Sequence, residues 1–265
     1  MDGPSKRVLA AFGLSEPPAR LAGGQGETWR SGAVVLKRAG RESAWRAGVL
    51  AALPESKDFR VPRPVRAVSG DWVAFGWEAS ELLPGATDVR RQDDVLVAAA
   101  AFHEAVAGVS RPDFIDDRHD PWADGDRVAW REQSLDGSPA YGELTRPLVA
   151  AWRPVELAAQ VVHGDLPGNV MFADGLPPAI IDWPVYWRPP SWAAAVAVAD
   201  ALCWYGAEPE LAARWAHLPE WGQMLVRALL YRMTTDELAG GAAVWTDARR
   251  AAYAPVIELA VSYAA

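Results

Sequence analysis

The stretch Val161-Val-His-Gly-Asp-Leu-Pro-Gly-Asn-Val170 decides how the rest of the sequence is interpreted. It places Asp165 two residues after His163 and Asn169 four residues after Asp165. Leu166, Pro167 and Gly168 separate the two polar residues, and the Pro-Gly pair favours a tight turn. We therefore expect Asp165 and Asn169 to lie close together on a loop.

Two short apolar runs follow the loop and predict a β-hairpin. They are Asn169-Val-Met-Phe172 and Ala179-Ile-Ile-Asp182, with Asp174-Gly175 in the turn between them. Such a hairpin would bring Asn169 beside Asp182, with Asp165 just before it. Two carboxylates and one amide oxygen would then converge, which is a ligand set that suits Mg²⁺.

The chain upstream of this region is rich in strand patterns and contains one predicted helix. Strands are predicted over Ala33–Arg38 and Trp72–Trp77, and a helix from Arg41 to Leu53, closed by Pro54. Glu81-Leu-Leu-Pro-Gly85 ends this part in a turn.

From residue 84 onward the patterns are mostly helical. We predict a helix over Gln92–Val109, a charged loop over Arg111–Asp126, and helical residues 143–160 interrupted at Pro154. Residues 192–265 are predicted to be mostly helix, punctuated by Pro209, Pro219 and Pro255. A β-rich part followed by an α-rich part predicts an α+β chain of two lobes, residues 1–83 and residues 84–265.

The amino-acid composition and the distribution of charge limit the classes of partner that the protein can have. The chain of 265 residues is 51% hydrophobic and 23% charged, as in globular proteins, and no apolar run approaches the roughly 20 residues that span a bilayer. We therefore expect a cytoplasmic protein without a membrane partner. Residues 91–265 hold 13 basic against 24 acidic residues, which argues against nucleic acid and mildly favours a cationic ligand. An acidic surface that only maintains solubility is an equally good interpretation.

Other interpretations of the polar residues carry less weight. The four histidines, at positions 103, 119, 163 and 217, and the single Cys203 do not form a zinc pattern. Cys203 lies in an apolar segment and is assigned no role. His103 is expected to pack on its helix. For any one residue among Trp183, Tyr186, Trp187 and Trp192, core packing is preferred to a wall of the substrate site.

The order of these motifs resembles the aminoglycoside phosphotransferase and choline kinase group, small-molecule kinases with the protein-kinase fold. His163-Gly-Asp165, Asn169 and Ile181-Asp-Trp183 are similar to its catalytic and metal-binding motifs. Gly23-Gly-Gln-Gly26, Lys37, Glu42 and Glu81–Gly85 fall where its phosphate loop, strand lysine, helix glutamate and hinge belong. The Gly-rich loop and Tyr186-Trp-Arg-Pro-Pro190 resemble an actinobacterial branch.

The resemblance implies roles for individual residues. Asp165 would accept the proton of the substrate hydroxyl, and Asn169 and Asp182 would hold Mg²⁺. ATP would be bound by the backbone of Glu81 and Leu83 at adenine, by Lys37 at the α- and β-phosphates, and by the loop that contains Gly24 and Gly26. Glu42 would steady Lys37, or be a solvated residue at a helix start. His163 would brace the catalytic loop, and Asp200 would hydrogen-bond it or lie on a helix surface.

The loop departs from the family pattern in one respect. The family has four residues between the Asp and the Asn, whereas Leu166-Pro-Gly168 provides three. We expect the Pro-Gly turn to compensate for the missing residue.

The resulting hypothesis is an ATP-dependent kinase that acts on a hydroxyl of a small molecule. The alternative is a nucleotide-binding protein with little or no catalysis. A protein kinase is disfavoured because no activation segment separates Asp182 from the helix at residue 192. The sequence leaves open the substrate, the choice of ATP or GTP, and the oligomeric state.

Overall fold

The computed structural model describes residues 3–21 and 27–265. The chain divides into two compact units. The first contains Met1–Ala86 and Met171–Ile181, and the second contains Thr87–Val170 and Asp182–Ala265. Gly24 and Gly26, which were assigned to the phosphate-binding loop, lie outside the described residues.

The first unit is built on an antiparallel sheet with strand order β1-β2-β3-β5-β4. Its strands are β1 (Ala19–Arg20), β2 (Trp29–Ser31), β3 (Val34–Arg38), β4 (Val73–Ala74) and β5 (Trp77–Glu81). Side chains alternate between the two faces of a strand, and on the central strands Leu36, Trp77 and Ala79 point into the core. Helix α1 (Lys6–Ala11) contributes Val8 and Leu9 to the same core.

Two predictions for this part of the chain were wrong. Helix α1 was missed, although Ser5 caps it by accepting a hydrogen bond from the Val8 N–H at 3.4 Å. The predicted strand Trp72–Trp77 is interrupted by a turn at Phe75 and Gly76, whose φ values are 50° and 73°. Left-handed backbone at two successive residues is the geometry of a tight hairpin turn, so the segment forms β4 and the start of β5.

Helix α2 (Ser43–Ala52) confirms the predicted helix after β3, and a second hairpin confirms the pattern after Asn169. This hairpin consists of β8 (Val170–Ala173) and β9 (Leu176–Ile180), with β6 (Ala86–Thr87) on the other side of β8. Asp174 and Gly175 form its turn, where Gly175 has a φ of 72°.

The second unit is mostly helical around one short β-ribbon. Strands β7 (Gln160–His163) and β10 (Val185–Arg188) pair antiparallel, with Val185 opposite His163. The helices are α3 (Gln92–Ala105), α4 (Pro121–Ala129), α5 (Pro139–Ala151), α6 (Pro190–Trp204), α7 (Glu210–Arg214), α8 (Trp221–Gly240) and α9 (Asp247–Ala264). Short 3₁₀ helices cover Asp113–Ile115 and Gly241–Val244.

Helix α8 is the centre of this unit because α4, α5, α6 and α9 all pack against it. Its burial is nearly continuous, and Met224, Leu225 and Leu229 are almost completely inaccessible to solvent. A side chain in the middle of α8 is therefore surrounded by tightly packed residues that restrict its movement.

Three predictions for the second unit were wrong. The charged segment Arg111–Asp126 contains the start of α4, which Asp120 caps by accepting hydrogen bonds from the N–H groups of Trp122 and Ala123. Residues 143–160 are not helical throughout, since α5 ends at Ala151 and β7 begins at Gln160. Pro255 lies inside α9 and does not end it.

Candidate active site

The loop from Asp165 to Asn169 contains the tight turn that the Pro-Gly pair predicts. The Asn169 N–H donates to the carbonyl oxygen of Leu166 at 2.9 Å, and Gly168 has a φ of 81°. Proline at the second position and a left-handed glycine at the third are the signature of a type II turn. The buried Leu166 side chain anchors the turn to the core.

The turn brings the Asn169 side chain back onto Asp165. Its Nδ2 donates to the main-chain oxygen of Asp165 at 2.6 Å and to Asp165 Oδ2 at 3.2 Å. Both hydrogen bonds use the amide nitrogen, so neither of them occupies Asn169 Oδ1, the atom that would bind a metal ion. The predicted proximity of Asp165 and Asn169 is confirmed.

The Asp165 carboxylate is fixed at both oxygens and still reaches solvent. Arg232 Nη2 donates to its Oδ1 at 2.7 Å, and the Asp165 side chain is 47% exposed. Arg232 also donates hydrogen bonds to Asp200, so Asp200 interacts with the loop indirectly, through Arg232. Arg232 lies 67 residues after Asp165, and the sequence analysis did not identify it.

Two histidine side chains support the loop by accepting hydrogen bonds from backbone N–H groups. The Asp165 N–H donates to His163 Nδ1 at 3.1 Å, and the His163 N–H donates to His103 Nε2 at 3.0 Å. Burial, reinforced by the neighbouring His163, lowers the pKa of His103 to about 3, so its ring is neutral and Nε2 can accept. His163 braces the loop as predicted, whereas His103 does more than pack on its helix.

Aromatic residues of the predicted cluster pack against the residues that come just before Asp165 in the chain. Trp183 and Tyr186 are buried, and the Trp183 Nε1–H donates to the Val162 carbonyl oxygen at 3.0 Å. The Tyr186 ring lies so close to Gly164 that a β-carbon there would collide with it, which explains the glycine between His163 and Asp165. Trp187 is half-buried and lines a separate cavity of about 180 Å³.

Asp182 lies between β9 and β10 in a left-handed backbone conformation. Its φ is 49° and it is exposed. Asp165, Asn169 and Asp182 provide carboxylate and amide oxygens, the donor types that Mg²⁺ takes. Within residues 3–21 and 27–265, no group of three or more His, Cys, Asp or Glu residues is arranged to hold a metal ion. The convergence of these three side chains on Mg²⁺ stays a prediction.

The first unit carries the residues predicted to bind the nucleotide. Lys37 lies on β3 directly opposite Glu78 on β5. Glu42 precedes α2 and accepts a hydrogen bond from Arg46 at 3.5 Å, while Arg46 also binds Glu78 at 2.7 Å. Glu78 is thus a carboxylate opposite Lys37 that was not predicted from the sequence, and the pairing of Glu42 with Lys37 stays a prediction.

At the predicted hinge, successive N–H groups have different partners. The N–H of Glu81 donates to the Arg63 carbonyl oxygen at 2.9 Å, and that of Leu82 donates to Ala33 at 2.8 Å. Among the residues that the structure describes, the Leu83 N–H has no hydrogen-bond partner.

Three solved structures of small-molecule kinases have a fold similar to that of this chain. Aminoglycoside phosphotransferase APH(4)-Ia, solved with AMP-PNP and hygromycin B, has a TM-score of 0.61 at 15% identity, with 97% of each chain covered. Spectinomycin phosphotransferase APH(9)-Ia, solved with ADP and spectinomycin, has a TM-score of 0.59 at 12% identity, covering 97% of this chain and 96% of that one. Choline kinase LicA from Streptococcus pneumoniae has a TM-score of 0.54 at 12% identity, with 97% of each chain covered.

The fold is therefore the two-lobed, protein-kinase-like α+β fold, with a small β-rich N-terminal lobe and a larger, mostly helical C-terminal lobe. The model of the phosphotransferase enzyme family matches residues 27–224. The chain belongs to this family and is a small-molecule kinase, which confirms the predicted fold, family and enzyme class. No curated protein matches the chain in sequence. None of the helices in the described part of the chain has the length and apolar character of a membrane span.

Proposed function

We propose that the protein transfers the γ-phosphoryl group of ATP to a hydroxyl group of a small molecule, with Asp165 accepting the hydroxyl proton. One observation carries this assignment. The Asp165 carboxylate is held at both oxygens by Arg232 and Asn169, yet it is about half exposed. A proton acceptor in phosphoryl transfer needs this combination of fixed orientation and access.

The remaining residues bind and orient the two substrates. Lys37 would contact the α- and β-phosphates, with Glu42 as its acidic partner and Gly24 and Gly26 in the covering loop. The carbonyl of Glu81 and the N–H of Leu83 would bind adenine, and the Leu83 N–H has no hydrogen-bond partner within the described residues. Asn169 and Asp182 would hold Mg²⁺, which when bound neutralises the negative charge of the phosphates.

The acceptor is proposed to be a hydroxylated molecule that carries a cationic group, such as an aminoglycoside-like compound or an amino alcohol, with sugars as a further class. The excess of acidic over basic residues in positions 91–265 would attract such a cation. The solved relatives were crystallised with hygromycin B and spectinomycin, which supports the same substrate class.

One feature favours the second candidate, nucleotide binding without catalysis. Arg232 occupies one oxygen of Asp165 and compensates its charge. If Arg232 prevents proton acceptance, the protein binds ATP and transfers nothing.

The test is a screen of the purified protein with Mg²⁺ against hydroxylated metabolites and antibiotics, with ATP and GTP as donors. Stoichiometric formation of ADP and a phosphorylated product, detected by mass spectrometry, supports the kinase assignment. Nucleotide binding by calorimetry without product from any acceptor favours the second candidate.

A further inference from the structure

Arg232 connects the catalytic loop to the centre of the second unit. Its Nη2 donates to Asp165 Oδ1 at 2.7 Å and also to Asp200 Oδ2. Its Nε donates to Asp200 Oδ1 at 2.9 Å. One guanidinium on α8 therefore joins a carboxylate of the loop to a carboxylate of α6, and its planar fork fixes the orientation of both.

Burial makes this connection rigid. The Arg232 and Asp200 side chains are only 14% and 8% exposed, whereas the Asp165 side chain faces solvent. Burial alone lowers the pKa of Arg232, but attraction to Asp200 and Asp165 raises it well above its usual value. The guanidinium therefore stays charged, and Asp200 is the counter-ion that holds it in place.

The two oxygens of Asp165 have different environments. Oδ1 accepts a short, charge-assisted hydrogen bond from Arg232, at 2.7 Å. Oδ2 accepts only a longer hydrogen bond from the neutral Asn169 amide, at 3.2 Å. Because charge-assisted bonds are roughly twice as strong as neutral ones, Oδ1 is held firmly by Arg232, and Oδ2 is the oxygen that is more available to an acceptor hydroxyl.

We propose that Arg232 is a positioning residue for phosphoryl transfer, which holds Asp165 Oδ1 so that Oδ2 faces the acceptor hydroxyl. This inference rests on the proposed function of Asp165. As the hydroxyl oxygen bonds to the γ-phosphorus and the bond from that phosphorus to ADP breaks, the hydroxyl proton passes to Oδ2. Asp200 acts through Arg232 and touches neither substrate.

The test must separate positioning from folding, because removing Arg232 alone leaves Asp200 buried without its counter-ion. The double variant Arg232→Met with Asp200→Asn removes both charges together and leaves Asp165 without its anchor. The matched control is Arg249→Met with Asp236→Asn, which removes another Arg–Asp pair of the same unit, with an N–O distance of 2.7 Å. The single variant Arg232→Lys keeps the charge and loses the fork.

The first measurement is amide hydrogen exchange of residues 163–170, which requires no acceptor. We expect exchange in the loop to be about tenfold faster in the Arg232/Asp200 variant and unchanged in the Arg249/Asp236 control. Arg232→Lys should lie between wild type and the double variant. Wild-type exchange of the loop in the folded double variant overturns the inference, whatever its activity.

The second measurement is turnover with the acceptor that the screen identifies. The double variant should lose about 10–10²-fold in kcat, as expected for a misplaced catalytic group, with its KM for ATP within about twofold of wild type. Faster exchange with an unchanged kcat contradicts a positioning role. An Asp165→Asn variant as active as wild type would instead refute the proposed function and leave the exchange result standing.

Discussion

Asp182 combines an exposed position with a backbone conformation that is unfavourable for most residues. Its φ of 49° lies in the left-handed region, where Asp is tolerated better than other non-glycine residues. Such local strain is concentrated at functional sites because the surrounding structure must maintain it. The conformation agrees with the role proposed for Asp182 as a metal ligand.

We predict that Asp182→Asn lowers the affinity for ATP in the presence of Mg²⁺ and leaves the fold intact. Asn keeps the shape and also tolerates the left-handed conformation, so the variant removes only the charge. Calorimetric titration of both proteins, with and without Mg²⁺, measures the effect. Equal nucleotide affinity in all four titrations would contradict the metal assignment.

The lowered pKa of His103 predicts that the stability of the protein depends on pH. Its pKa is lowered to about 3 in the folded protein, against an unfolded value of about 6.5. Below pH 6.5 the unfolded chain binds a proton that the folded chain does not, so the folded state loses stability as the pH falls. This one group contributes a slope of about 1.4 kcal/mol per pH unit between those two values.

The variant His103→Gln isolates this contribution because the Gln oxygen can accept the hydrogen bond from the His163 N–H. We expect the free energy of unfolding, measured by urea denaturation, to fall less steeply in the variant than in wild type between pH 6.5 and pH 4. Parallel pH profiles for the two proteins would show that His103 is protonated in the folded state.

At the residue scale, local spacing predicted what lies near Asp165 in sequence and missed what lies far from it. Asp165 and Asn169 belong to one turn, so their proximity follows from the Pro-Gly pair. His103 and Arg232 reach the loop from 60 and 67 residues away. A histidine or arginine on a helix carries no local signal of such a contact, because tertiary packing alone creates it.

The element that decides whether the loop works is the turn Leu166–Asn169. Gly168 has a φ of 81°, and a β-carbon at this position would meet no atom within 4 Å. Any effect of an Ala substitution therefore comes from the backbone conformation and not from a collision.

We predict that Gly168→Ala destabilises the protein by about 1–2 kcal/mol and reduces turnover, since an L-residue disfavours the left-handed region. Gly142→Ala is the matched control because Gly142 is an exposed residue of α5 with equally open space around it and an ordinary backbone. The control should gain about 0.5–1 kcal/mol. Thermal unfolding of both variants decides the matter, and stabilisation by Gly168→Ala would refute the assigned turn.

Strand β3 offers a comparison between two adjacent cations. Lys37→Met should reduce turnover by about 10²-fold or more with a thermal midpoint near that of wild type, because Met keeps the packing of the stem and removes the charge. Arg38→Met is the control, since the Arg38 guanidinium lies 4.3 Å from the centre of the Trp77 ring and should affect stability more than turnover. Normal turnover of Lys37→Met would show that Lys37 does not bind phosphates.

The elements show where sequence patterns fail. The left-handed φ at Phe75 could not be predicted, because aromatic residues rarely adopt this conformation. The segment Trp72–Trp77, which was predicted as one continuous strand, therefore contains a hairpin turn between β4 and β5. Pro255 is tolerated inside α9, where the packing of Tyr253, Val256 and Ile257 outweighs the lost hydrogen bond. Helix α4 did carry a signal, Asp120 before Pro121, which the charged composition of the segment obscured.

For the whole molecule, the order of motifs was more informative than any single motif. The order of Lys37, Asp165, Asn169 and Asp182 along the chain suggested the family, and the family model and the solved structures confirm the family and the fold, whereas the roles of these four residues stay predictions. The acceptor could not be predicted, because its binding depends on which side chains meet in three dimensions and not on the order of motifs along the chain.

The most direct test of the account compares wild type with Asp165→Asn, which keeps the shape of the side chain and removes its negative charge. Calorimetry measures ATP affinity, and single-turnover kinetics with Mg²⁺, ATP and the identified acceptor measure phosphoryl transfer. We predict that transfer falls by about 10²–10⁴-fold while ATP affinity stays nearly unchanged, as expected for the loss of a positioned base. Transfer at the wild-type rate by Asp165→Asn would contradict the assignment of Asp165 as the proton acceptor.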